Sequence, residues 1–70
     1  MNWYKQANNM QKLINDVIEE MEWYINMGEV ITVDDLIDRI KTDYRADMPD
    51  DDYRVMSNAV YEKLKNRVRE

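Results

Sequence analysis

The chain reads as a small all-α protein, a three-helix bundle, on three observations. Apolar residues recur at alternating steps of four and three over the first third of the chain: Trp3, Ala7, Met10, Ile14, Val17, Met21 and Tyr24, closed by Gly28. Two later stretches repeat helical spacing, each beginning where a capping residue stands. No run alternates apolar and polar residues with the period of two that a half-buried strand requires.

The first helix is expected over about 3–27. Leu13 and Met27 flank its seam on one side, and Tyr4, Ile18 and Ile25 on the other, so the stripe is wide enough to meet more than one neighbour. Asn2 is a competent N-cap. Gly28, the single glycine of the chain, stands where a helix ends in the left-handed region. At 1.5 Å per residue this rod is nearly 40 Å long, by far the longest element. It overhangs the others, and homodimerisation through its uncovered seam is expected to follow.

Val30 and Ile31 then read as extended or loop residues. Thr32 followed by Asp35 makes an aspartate version of the capping box, with Ile31 and Leu36 placed for a hydrophobic staple. Val33, Leu36, Ile37, Ile40 and Tyr44 form the inward stripe of a second helix, about 33–45, and Lys41 and Arg45 lie in its last turn where the dipole favours cations. Pro49 keeps Met48 out of helical geometry. Asp50 is the candidate N-cap of a third helix, about 50–68, with Asp47 as its rival. Its inward stripe is Tyr53, Met56, Val60, Leu64 and Val68, with Ala59 and Tyr61 beside it. Residues beyond Val68 are expected to fray.

Seventy residues bound this to one domain, 1–70, near the lower size limit at which one core offsets chain entropy. The usual staples of small domains are missing: with no cysteine there is no disulfide, and with no histidine either a structural zinc site is implausible. The beginning of the chain does not read as a signal peptide, and no apolar run approaches the roughly 20 residues of a membrane span. The expectation is a soluble cytoplasmic protein without membrane attachment.

The net charge of −5 conceals an asymmetry. Residues 1–15 carry only Lys5 and Lys12; residues 16–52 hold thirteen acids against Arg39, Lys41 and Arg45; residues 53–70 are basic again. The second and third helices place acids first and bases last, as the dipole favours. The first reverses that order, with Asp16, Glu19, Glu20 and Glu22 in its second half. Part of the explanation is expected from the third helix. If it runs parallel to the first, Lys63, Lys65, Arg67 and Arg69 stand level with those acids. The heptad positions of Asp16, Glu19 and Glu22 nevertheless point outward, and Trp23 lies among them.

Function follows from this inventory by elimination. Without His or Cys, and with Ser57 as the only serine, the common nucleophile–base pairs are absent, so no enzyme and no cofactor is expected. The aspartates at 47 and 50–52 lack the alternating ligands, loop glycine and distal glutamate of a calcium loop, so no metal is expected. A helix-turn-helix reading places three aspartates where phosphates should approach, which makes nucleic acid an unlikely partner. What remains is a small acidic interaction module, a regulator or inhibitor docking on a basic surface of another protein. Its expected contact residues are Asp16, Glu19, Glu22, Trp23, Asp34, Asp35 and Asp38. Two alternatives stand beside it: a nucleic-acid-associated regulator using Lys63, Lys65, Arg67 and Arg69, and a purely structural self-associating module.

Overall fold

A computed structural model describes residues 7–70, with side chains from Asn9 onward. The expectations for Asn2, Trp3, Tyr4 and Lys5, and for the Ala7 side chain, lie outside the described residues. The protein is an all-α three-helix bundle: α1 spans Ala7–Asn26, α2 Val33–Tyr44 and α3 Asp50–Leu64. Short 3-10 turns, Arg45–Asp47 and Lys65–Arg67, extend α2 and α3.

The end of α1 follows from one residue. Gly28 takes φ +80°, its N–H donates to the Ile25 carbonyl at 3.1 Å, and the Glu29 N–H donates to the Tyr24 carbonyl at 2.9 Å. These are the two bonds of a Schellman cap, which satisfy carbonyls the helix would otherwise leave open. The reversal carries the chain inward, and Val30, expected as a loop residue, is fully buried.

The capping box of α2 forms as its sequence implies. The Asp35 N–H donates to Thr32 Oγ1 at 3.1 Å, and Asp35 Oδ2 accepts from the N–H groups of both Thr32 and Ile31, each at 3.1 Å. Ile31, expected to staple over Leu36, is half exposed. Replacing Thr32 by alanine should cost about 1 kcal/mol, read as a drop of roughly 4–8 °C in the melting temperature of a domain this size. The two backbone N–H groups hold the Asp35 carboxyl below its ordinary value of 3.8. A carboxylate depressed in the folded state contributes its full stabilisation above the unfolded pKa and loses it as pH falls through the folded one. Acid titration below pH 3.8 should therefore weaken the wild type more than Asp35→Asn, and equal acid sensitivity would count against the box.

The connection to α3 corrects one boundary. Met48 is extended, at φ −131° and ψ 146°, as a residue before proline must be. The N-cap is Pro49, whose carbonyl accepts from the Tyr53 N–H at 2.9 Å; Asp50, expected as the cap, is the first helical residue. No described side chain caps this end, and Asp50, Asp51 and Asp52 act through the helix dipole instead. Asp52 Oδ2 is buried there without a hydrogen-bond partner among the described residues. Arg45 fixes the corner by pairing with Asp50 and lying 5.5 Å from the centre of the Tyr53 ring.

The core is apolar, with no buried polar residue among those described. Leu13, Ile14, Val17 and Met21 enter it from α1, Leu36 and Ile40 from α2, and Met56, Val60 and Leu64 from α3. Val30 and Met48 close it from the two connections. Met10, Tyr24, Tyr44, Tyr53 and Val68 pack around its edge.

The chain after α3 differs most from expectation. The α-helix stops at Leu64 rather than near residue 68, and Val68 is extended at φ −126° and ψ 164° while still packing on the core. Arg69 does not fray. Its N–H donates to the Ile31 carbonyl at 2.9 Å, and its carbonyl accepts from the Val33 N–H at 2.6 Å. The second bond satisfies one of the free donors in the first turn of α2. This isolated parallel bridge, Thr32 to Arg69, ties the tail to the α1–α2 connection.

Candidate functional site

The outer face of α1 carries the candidate site. Residues 16, 19 and 23 are three or four apart, so they form one line along the helix, which Met27 continues from the turn just past its end, its N–H bonded to the Trp23 carbonyl. All four are exposed, Trp23 to 56% and Met27 to 53%. Asp16 and Glu19 make no hydrogen bond or ion pair among the described residues. The indole thus stands beside two carboxylates that no described cation pairs with, and exposed tryptophan is a residue type enriched at interfaces.

Trp23 is held rather than loose. Its ring meets Tyr24 edge-on, with centroids 5.2 Å apart and planes at 69°. Tyr24 in turn carries the Arg39 guanidinium over its face at 4.4 Å, and Arg39 pairs with Glu29 at 3.5 Å. This chain of contacts runs from the outer face of α1 to α2, so packing between the helices orients the indole.

The acids flanking that line are committed inside the molecule. The Tyr44 hydroxyl donates to Glu20 at 2.9 Å; burial first, then the neighbouring Glu20 carboxylate, raises the phenol well above its ordinary pKa. Glu22 pairs with Arg67 at 3.1 Å, and the same guanidinium donates to Asn26 at 3.1 Å. Asp35 is occupied by the capping box. Asp34 and Asp38 are exposed on α2 and make no hydrogen bond or ion pair among the described residues. Asp38 lines a shallow polar hollow with Glu29 and Arg39.

The basic end of the chain neutralises less of α1 than its register suggests. Of Lys63, Lys65, Arg67 and Arg69, only Arg67 reaches an acid of that helix among the described residues. Lys65 donates instead to Glu62 at 2.9 Å, which holds its ammonium pKa above the ordinary value. For the residues after Leu64 the tail is the cause: the α-helix has ended, and Arg69 is bonded to the α1–α2 connection instead.

A second surface lies between α2 and α3 and was not apparent from the sequence. Val33 and Ile37 of α2 face Tyr53 and Tyr61 of α3 across an open groove of about 360 Å³, with Ile40 beneath. Ile37, expected inward, is 45% exposed there. Burial of the Tyr53 ring raises its phenol pKa, with nearby Arg45 opposing the shift. The only signal in the sequence was the width of the α2 stripe, since Val33 and Ile37 stand at one edge of it.

Among the described residues no group of three or more acids is arranged to hold a metal ion, and no helix is long and apolar enough to cross a membrane. Asp50 and Asp51 are paired with Arg45 and Arg54. Compared with known family models, with characterised proteins and with solved structures, the chain gives no match.

Proposed function

We propose that the chain is a non-enzymatic protein-interaction module that docks the outer face of α1 on a basic surface of a partner protein, as a regulator or inhibitor of that partner. The observation that carries this reading is the exposed line of Asp16, Glu19, Trp23 and Met27, whose two carboxylates no described cation neutralises. Complementary charge speeds association and makes it salt-sensitive, while a desolvated tryptophan supplies most of the holding energy. Glu22 and Asp35 contribute only at the margin, since each already has an internal partner. Asp34 and Asp38 extend the negative field without forming the contact itself.

The nucleic-acid reading has less support, because Lys65 and Arg67 are already engaged by Glu62 and Glu22. Tagged wild-type protein and an Asp16→Lys/Glu19→Lys variant, both checked for unchanged melting, separate these readings when used to capture proteins from host lysate. The wild type should retain a basic protein at low salt and release it at high salt, and the variant should retain little at either. Equal capture by the two proteins would refute the docking face.

A further inference from the structure

Two arginines of this chain each engage an aromatic ring and an acid together. Arg39 stands 4.4 Å over the Tyr24 ring and pairs with Glu29 at 3.5 Å. Arg45 stands 5.5 Å from the centre of the Tyr53 ring and pairs with Asp50. The second set is local: Asp50 and Tyr53 are three residues apart on α3, so they share one face, and the guanidinium bridges them. A guanidinium suits this role because its plane stacks on a ring while its N–H fork reaches a carboxylate.

Glu19 and Trp23 repeat that arrangement on α1. They are four residues apart, about 6 Å along the axis, and both are exposed. The indole is held by its edge contact with Tyr24 and leaves 56% of its surface in solvent. No described cation lies over it, and none pairs with Glu19. The other charges of this region do not fill the place. On α1, Asp16 adds a second carboxylate without a described cation, and Glu20 accepts from Tyr44. Arg39 is committed to Tyr24 and Glu29, and Arg67 to Glu22 and Asn26. Lys12 stands about 16 Å back along the helix from Trp23.

We propose that the partner docks an arginine on this face, its guanidinium lying over the Trp23 indole and donating to Glu19. The inference rests on reading the outer face of α1 as a docking surface and names the side chain that surface takes. Tryptophan is the ring that holds a cation best. A lysine fits less well, because its ammonium is compact and strongly hydrated and has no fork to share between ring and carboxylate.

Two blocked peptides of one sequence, with arginine at every basic position in one and lysine in the other, test this on the full chain. Affinity is read from the anisotropy of a fluorophore on the peptide, and the site from the indole N–H resonance of Trp23 in isotope-labelled protein. The arginine peptide should shift that resonance and bind about fivefold more tightly than the lysine peptide. Trp23→Ala and Glu19→Gln, each confirmed folded by circular dichroism, should bring the two affinities to within about twofold of each other. Equal affinity of the wild type for the two peptides, no binding of the arginine peptide, or an arginine preference unchanged in Trp23→Ala would each overturn the proposal. Equal affinity that is lost in Asp16→Lys/Glu19→Lys would remove the arginine and leave the docking face standing. Binding of neither peptide, with lysate capture unaffected by that double substitution, would remove both.

Discussion

Leu36→Ala is expected to leave much of the chain unfolded at room temperature, while Ile37→Ala, one residue further, leaves it folded. Leu36 is completely buried in the first turn of a helix of only 12 residues that reaches both of its neighbours. Truncating a leucine in such a site costs about 2–5 kcal/mol, the transfer term plus the cavity left behind. A domain of this size is held by roughly 0.05–0.15 kcal/mol per residue, or about 3–10 kcal/mol in all. The substitution removes a large share of that, with no disulfide to limit the damage. Ile37 leaves 45% of its surface in solvent, so its truncation should cost about 1 kcal/mol or less. Far-UV circular dichroism and urea unfolding of both variants provide the check. Comparable losses at the two positions would mean that α2 is rotated from the orientation described.

A chain ending at Lys65 should lose about 3.5 kcal/mol relative to the full protein. Deleting 66–70 removes the two backbone bonds between Arg69 and residues 31 and 33, each contributing about 1 kcal/mol net. It also removes the packing of Val68 against the core, about another 1 kcal/mol for a partly buried valine. The Arg67–Glu22 pair adds only about 0.5 kcal/mol, because both side chains are roughly 40% exposed. Arg67→Ala alone should therefore be mild, and the truncation severe. The slope of urea unfolding should fall as well, since less surface remains to be exposed. A truncated chain as stable as the full one would show that the bridge contributes nothing in solution.

The sequence determined most of this architecture through local chemistry. Gly28 marked the end of α1, and Thr32 with Asp35 marked the start of α2, because each acts through backbone groups a few residues away. The stripe of Met56, Val60 and Leu64 was legible because helical periodicity fixes which residues share a face. Periodicity does not fix how that face is turned relative to two neighbours, and for that reason Ile37 was placed inside and is outside. Nor does it show which connecting residues sink: Val30 and Met48 are buried because a cap and a proline aim them inward. The position of the tail was legible least. Nothing local in Arg67, Val68 and Arg69 disfavours another helical turn, and the bonds that bend them away belong to residues 22, 26, 31 and 33.

For the candidate site, the outward positions of Asp16 and Glu19 followed directly from heptad geometry, whereas the position of Trp23, off the seam, was compatible with covering the second helix as well as with the exposure it has. The internal partners of Glu20 and Glu22 did not, since each comes from a different helix or turn. The groove was equally hidden, because it depends on the spacing between two helices and not on either one.

The link between residues 31–33 and 69 joins positions more than half the chain apart, as the packing of α1 on α3 in the core also does. Closing a loop of that length around a single bridge is expected to become favourable once the helices have collapsed against one another, on the native side of the folding barrier. Bonds made that late leave the rate of folding nearly unchanged and slow the reverse step instead. The last five residues thus work as a bolt: they add little to how quickly the bundle assembles and much to how long it stays shut.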